Sequence, residues 1–236
     1  DGYGIIFGQG FRRNGDISED NPLALPDGTQ RTEPFEGFGD DAKLIGPSGQ
    51  GLLSSGPKKI GNVQPDWQGG FNTSLSWKGL SVSTQWEFSE GGEILNFDRF
   101  YMENNGTHEV TANRGEEITR DGVQISTGEA NETPVVRDQE FFQGLGTRLN
   151  FERFVEDASY LKLRQASIGY QFNLPQRLGR VSGLETVSVR ATGRNLITFS
   201  DFSMGDPAGS LAGTGNGQGF YHGVTPSSRT YRFSIR

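Results

Sequence analysis

Residues 67–88 read WQGGFNTSLSWKGLSVSTQWEF, and the alternation in that stretch decides the fold. Trp67, Phe71, Thr73, Leu75 and Trp77 fall on odd positions, with Asn72, Ser74 and Ser76 between them. A period of two marks a strand with one apolar and one polar face. Lys78-Gly79 makes a very short turn, after which Leu80, Val82, Thr84, Trp86 and Phe88 share a face opposite Ser81, Ser83, Gln85 and Glu87. The pair is a hairpin with one greasy side. At ~3.3 Å per residue, the span from Trp67 to Trp77 is roughly 33 Å. A strand tilt of about 40–45° shortens it to roughly 24 Å along a membrane normal, close to the ~25 Å apolar band of an outer-membrane barrel. A soluble sandwich core would also hold both tryptophans, but the small polar residues on the opposite face favour the membrane.

Working outward, the same pattern returns from Tyr160 to Phe172. There Leu161 and Leu163 set one phase, and Ala166, Ile168, Tyr170 and Phe172 set the other. Such a flip predicts a bulge, or a strand end that leaves the bilayer. Further strands are expected at Leu184–Phe199, Arg229–Arg236 and residues 3–12, roughly six in all. The segments near 13–66, 91–159 and 200–228 read as long polar loops. Residues 173–183 form a compact turn. Within 138–154 the run Gln139-Glu140-Phe141-Phe142 fits helix or strand. Long loops alternating with short turns are the outer-membrane barrel pattern. The fold class is therefore all-β, a part of a transmembrane antiparallel barrel. Six strands do not close such a barrel, which takes at least about eight. The opening Asp1-Gly2-Tyr3-Gly4-Ile5-Ile6-Phe7 reads as the interior of a longer protein.

Composition agrees. Hydrophobic residues are only 32% of 236, glycine reaches 35 residues and aromatics 11%. Mean hydropathy is −0.57. A barrel tolerates this because only alternate strand residues meet lipid. The net charge of −7 and the lack of a basic stripe argue against nucleic acid. The absence of cysteine excludes disulfides and thiolate chemistry. Two histidines, His108 and His222, are too few for a multi-histidine zinc site.

No nucleophile elbow occurs, since Gly46-Pro47-Ser48-Gly49 has the wrong spacing. The run Gly213–Gly219 lacks the strand-to-helix context of a phosphate cradle and reads as a loop. Asn-x-Ser/Thr at Asn72, Asn105 and Asn131 reads as chance. Asp40-Asp41 and Glu116-Glu117 could hold calcium, but solvated loop charge is the favoured reading. No enzyme, metal or cofactor is expected. Glu87, Arg190, Arg194 and Arg232 alternate away from the apolar face and are expected to line a lumen, paired with other protein groups. Trp67, Trp77, Trp86 and Tyr170 are the expected membrane girdle. Phe97, Tyr101, Phe141, Phe142, Phe202, Phe220 and Tyr221 are loop aromatics able to stack on a substrate, with packing among the loops as the competing reading.

Four ordered motifs carry a family resemblance. The first is Ile60-Gly61-Asn62-Val63-Gln64-Pro65-Asp66-Trp67, followed by Gly70-Phe71-Asn72 and Trp77-Lys78-Gly79-Leu80. Asp157-Ala158-Ser159-Tyr160-Leu161-Lys162-Leu163-Arg164 leads into Ala166-Ser167-Ile168-Gly169-Tyr170. Gly193-Arg194-Asn195-Leu196-Ile197-Thr198-Phe199 precedes Asp206-Pro207, and Pro226 to Phe233 ends the series. Residues 60–236 thereby resemble the C-terminal third of SusC/RagA-type TonB-dependent transporters. The resemblance implies a barrel of about 22 strands with a plugged lumen. It implies TonB-dependent import of a glycan or peptide with a SusD-like surface lipoprotein as lid. TonB would act through a plug that this chain does not contain, and two importer–lid units would pair as a dimer. Relatives often carry an acidic loop before the I-G-N segment. Residues 40–59 read DDAKLIGPSGQGLLSSGPKK, so no metal site is carried over. The competing readings are a soluble β-sandwich glycan-binding module and an outer-membrane barrel enzyme.

Overall fold

The hairpin at 67–90 is the edge of a five-stranded antiparallel sheet. The computed structural model describes residues 4–143, 149–175, 185–209 and 219–236. Most of the expected turn at 173–183, and the glycine-rich run at 213–219 apart from Gly219, lie outside the described residues. Along the chain the strands are β1 (Ile5–Gly8), β2 (Leu23–Ala24), β3 (Gln30–Arg31), β4 (Leu44–Ile45), β5 (Lys58–Asn62), β6 (Trp67–Trp77), β7 (Leu80–Glu90), β8 (Glu93–Asn96), β9 (Glu117–Thr119), β10 (Val123–Gln124), β11 (Pro134–Val136), β12 (Val155–Asp157), β13 (Tyr160–Asn173), β14 (Thr186–Phe199), β15 (Phe220–Tyr221) and β16 (Thr230–Ile235). Helix α1 covers Phe97–Asn104 and helix α2 covers Gln139–Gln143, so the ambiguous aromatic run at 139–142 is helical.

The large sheet has the order β16-β14-β13-β7-β6. The turn between β6 and β7 places Lys78 at φ 45° and Gly79 at φ 89°. Two successive positive φ values give the primed turn whose twist matches that of paired strands. A Cβ on Gly79 would also come within 2.7 Å of the Gln171 carbonyl oxygen. Register then sorts every residue of the sheet. One row runs Trp77, Leu80, Tyr170, Val189, Ile235, and the next runs Leu75, Val82, Ile168, Ala191, Phe233. The opposite face carries rows such as Ser74, Ser83, Ser167, Thr192, Arg232.

The apolar face is bare. Trp67 is 72% exposed, Leu75 67%, Phe233 80% and Ile235 78%. A sandwich would cover this face with a second sheet, and among the described residues no such sheet exists. Three polar side chains at its middle bond to one another, as burial in hydrocarbon favours. The Thr73 and Thr84 hydroxyls lie 2.6 Å apart, and Trp86 Nε1 donates to Thr84 Oγ1 at 3.1 Å. Gly69 admits the Phe88 ring across the strand pair, since a Cβ would sit 2.9 Å from it. Among the described residues no helix is long and apolar enough to cross a membrane.

The phase flip on β13 is a bulge. Register shifts between Leu163 and Gln165 against both β7 and β14. On β14 the same level holds Asn195 at φ 52°, a conformation that asparagine tolerates better than most residues. The motif Gly193-Arg194-Asn195-Leu196 encodes this irregularity. Leu196 folds over Gly193, where a Cβ would lie 2.6 Å from Leu196 Cδ2.

The expected strand at 3–12 does not join the sheet. It shortens to β1, which pairs with β5 among the loops. Ile6 is the reason, because it is buried with Ile60, Leu95, Phe100 and Phe154. The loops are not featureless. A second cluster joins Ile17, Leu23, Phe35, Leu44, Val123 and Ile125, and a third joins Ile94, Phe202 and Tyr221. Asn14, fully buried, pins the first of these turns by donating to the Phe35 carbonyl at 3.0 Å and accepting from the Phe35 N–H at 2.7 Å.

If the bare face meets lipid, charge placed on it is costly while charge on the other face is not. Phe71→Arg is expected to destabilise the lipid-embedded full-length protein by about 2–4 kcal/mol, and the adjacent Asn72→Arg by under about 1 kcal/mol. Denaturant titration in lipid reads both, and equal costs would reject the assignment of faces.

Candidate functional site: the polar wall and the loops above it

The polar face of the sheet divides into two halves. Towards the loops, Glu87 on β7 accepts from Arg164 Nε at 2.7 Å, Arg164 Nη2 at 2.8 Å and Tyr160 Oη at 2.7 Å. Beside it, buried Lys162 is paired with Asp206. Asp206 hangs from the loop after β14, where it also accepts from the Ser227 hydroxyl at 2.9 Å and the Ala208 N–H at 2.9 Å. That loop is thereby tied to the wall. Burial pushes the Asp206 carboxyl up, but Lys162 and the Ala208 and Ser227 bonds together hold it below the ordinary 3.8.

Towards the short turns, the wall is cationic. Arg190 lies level with Ser234, Arg232 with Thr192, and Arg194 with Thr230. Arg194 Nε donates to Gln165 Oε1 at 3.1 Å. Among the described residues no carboxylate lies within ion-pair distance of these three arginines. Of the four expected lumen residues, Glu87 is engaged within the wall, while Arg190, Arg194 and Arg232 have no carboxylate partner among the described residues.

The expected girdle residues all lie on the apolar face. Trp77 and Tyr170 share the row next to the short turns, with Phe172 edge-on to Tyr170 at 4.6 Å. Trp67 stands at the loop end, level with Glu90. Trp86 sits four residues along β7 from that level, facing Phe71, with ring centroids 6.1 Å apart. Its indole N–H turns to Thr84 rather than outward, so it lies deeper in the apolar band than Trp67.

The seven loop aromatics separate into two groups. Phe141, Phe142, Phe202 and Tyr221 are buried and make loop cores. Phe141 meets Phe142 edge-on at 4.9 Å, and Phe202 meets Tyr221 likewise at 4.9 Å. These four, being buried, present no face to a substrate. Phe97, Tyr101 and Phe220 come together on the surface. Phe97 stacks on Phe220 at 5.7 Å, and Tyr101 is 48% exposed. Sequence reasoning missed the residue that completes this patch. His222 lies 5.3 Å from the Tyr101 ring, with its Nδ1 3.1 Å from Asp98 Oδ1. Asp98 also accepts the Gly223 N–H at 3.0 Å, joining β15 to α1. No local pattern links residues 98 and 222, and only the pairing of β15 with β8 brings them together.

The motifs that recur at the loop end are joints. Asp157 Oδ1 accepts the Ser159 N–H at 2.8 Å and the Ser159 hydroxyl at 2.6 Å, turning the chain from β12 into β13. Ser159 Oγ then accepts the Gly91 N–H at 2.9 Å. Glu93 holds the I-G-N segment by accepting the Asn62 N–H at 2.7 Å.

A twisted antiparallel wall, apolar outside and polar inside, with folded loops at one end, defines a segment of a transmembrane β-barrel. No protein-family model matches the chain. Two curated relatives come from Formosa agariphila. TonB-dependent receptor P3 is 29% identical over 193 residues, covering 79% of this chain and 18% of that protein. TonB-dependent receptor P26 is 30% identical over 200 residues, covering 82% and 19%. The RagAB peptide importer in its closed-closed state superposes over 98% of this chain and 22% of that one, with a TM-score of 0.54 at 19% identity. Its open-open state gives 0.53. The chain spans about a fifth of the length of the relatives it matches. It belongs to the TonB-dependent receptors of the bacterial outer membrane.

Asp206 supplies a test of the tie between loop and wall. A carboxyl held low in the folded state stabilises above its ordinary value and loses that contribution as pH falls through the lower folded value. The loop at 200–209 should therefore stay protected from hydrogen exchange down to about pH 4 and loosen only below it. Lys162→Met should loosen it at neutral pH, at a local cost of about 3–5 kcal/mol, because it strands a part-buried carboxylate. Unchanged protection in this variant would reject the tie.

Proposed function

We propose that the whole protein imports a nutrient, a glycan or a peptide, across the outer membrane by a TonB-dependent mechanism, and that this chain is a C-terminal wedge of its barrel. The observation that carries the proposal is the unbroken division of five strands into a bare apolar face and a polar, partly cationic one. In that reading the short turns face the periplasm and the loop segments face the cell exterior. The polar wall faces the lumen, where Arg190, Arg194 and Arg232 pair with acidic groups of the plug that TonB pulls on. Trp67, Trp77 and Tyr170 mark the two membrane interfaces.

The loop cores suit a rigid exterior platform for a SusD-like surface lipoprotein, and RagAB, to which the fold is similar, is a peptide importer. Two importer–lid units pairing as a dimer remain part of this proposal. The surface patch of Phe97, Tyr101, Phe220 and His222 is its proposed contact with cargo or lid, since exposed rings stack on sugar rings and on peptide side chains alike.

Deleting the gene should abolish TonB-dependent uptake of one class of oligomer, and the solubilised protein should copurify with a lipoprotein. Tyr101→Ala should weaken capture of cargo or lid by about 1–2 kcal/mol, roughly tenfold in Kd. Uptake that survives deletion of tonB would refute the proposal.

A further inference from the structure

Arg120, Arg137 and Arg153 converge around α2, away from the barrel wall. Arg120 Cζ lies 4.4 Å from the Phe141 ring centroid. Arg137 Cζ lies 5.8 Å from the same centroid and 5.6 Å from that of Phe142. Arg153 lies behind them, with Nη2 3.1 Å from Glu103 Oε2. Arg99 shares Glu103 at 2.8 Å and reaches Glu156 at 3.1 Å. Four guanidinium groups thus draw on two carboxylates, and both are committed. Glu103 is held by Arg99 and Arg153, and Glu156 also accepts the Ser203 N–H at 2.9 Å and the Ser203 hydroxyl at 2.8 Å.

Arg120 is the unmatched member. Among the described residues it has no carboxylate within ion-pair distance, and its Nε is buried without a partner, as is that of Arg137. Burial, with the charges of Arg153 and Arg137, pushes the Arg120 pKa down to about 10. It remains a cation at neutral pH. A buried guanidinium without a partner is unfavourable, and like charges gathered around it add to that cost. Stacking on buried phenylalanine faces fixes the plane of each guanidinium. Arg137 Nη2 donates to the Val110 carbonyl at 2.5 Å, whereas the Nη edge of Arg120 makes no hydrogen bond among the described residues. That edge fits the two oxygens of a carboxylate or a sulfate. Arg120 and Arg137 are both part-exposed, so an anion reaches them from solvent.

We infer that Arg120 and Arg137, backed by Arg153, form an oxyanion site that takes a carboxylate or sulfate group carried by the imported cargo. The inference rests on the import reading and narrows it to cargo bearing negative groups. Sequence patterning does not reveal the site, since residues 120, 137 and 153 are spread along one long loop segment with no shared periodicity.

The test uses the purified full-length protein in detergent, in acetate-free buffer of low chloride. Sulfate binding is measured by calorimetry, followed by competition with triglutamate and with its neutral counterpart triglutamine. Sulfate should bind the native protein, and triglutamate but not triglutamine should displace it. Arg120→Gln should weaken sulfate by about tenfold or more, Arg120→Lys by less, and Arg114→Gln, a change at an exposed arginine, not at all. Thermal unfolding of each variant separates lost binding from lost folding. Two outcomes overturn the inference. One is no sulfate binding to the native protein, which would mean that Arg120 is paired with a carboxylate elsewhere in the full-length chain. The other is equal displacement by the neutral peptide. Because binding is read on the purified protein, a failure of the uptake reading shows separately, as uptake that persists without TonB.

Discussion

A backbone in hydrocarbon has no water to bond with, so every strand that crosses must give its N–H and C=O groups to a neighbouring strand. The rest of this structure depends on that constraint. It explains why the longest regular elements are strands rather than helices, and why β7, β13 and β14 are each paired along both edges. It also explains why the irregularities in the sheet fall together. The bulge at Leu163–Gln165 and the left-handed Asn195 lie at one level of the wall, so the ladders below it keep their register. An insertion that the ladder did not absorb would slip every side chain beyond it to the other face. The bulge on β13 absorbs its extra residue without a counterpart on β7, so Leu163 and Ala166 stay on one face, level with Trp86 and Thr84.

The constraint relaxes above the sheet, and different physics takes over. The loop segments are polar and rich in glycine, yet three small clusters hold them. Each cluster is built from distant pieces, as when Ile6, Ile60, Leu95, Phe100 and Phe154 meet. Their polar groups are joined through carboxylates that each serve several donors. Glu156 takes Arg99 and Ser203, Asp98 takes Gly223 and contacts His222, and Asp206 takes Ser227, Ala208 and Lys162. Such joints are short and directional, so they set loop positions where apolar area is scarce.

How much of this is legible in the sequence follows from the same division. Residues 67–77 give their strand at its true bounds because a two-sided environment imposes a period of two. The flip at Leu163–Ala166 is equally visible, since a bulge changes the phase of that period. Residues 3–12 mislead because Ile5 to Phe7 has strand composition, while its partner β5 lies in the loops. The loop aromatics are legible as residues but not as surfaces. Nothing in Phe141-Phe142 distinguishes a buried pair from a binding pair, because the burial comes from Arg120 and Arg137 folding over it from elsewhere. His222 with Asp98, and Lys162 with Asp206, are invisible for the same reason, being separated by long stretches of chain.

The two ends of the sheet complete the argument. β6 and β16 are edge strands, and an edge left in lipid would strand backbone groups at several kcal/mol each. The apolar rows run out to both edges, through Leu75 on one side and Phe233 on the other, so both edges lie within the apolar band. Neither edge carries a proline, and β6 carries no charge, the devices by which soluble sheets protect themselves. Both therefore continue into further strands, and this wall is one sector of a wider closed barrel. The loop cores do not share that dependence, since their buried residues find partners within this chain. The same chain thus joins a wall that is stable only when closed to loops that hold their own shape.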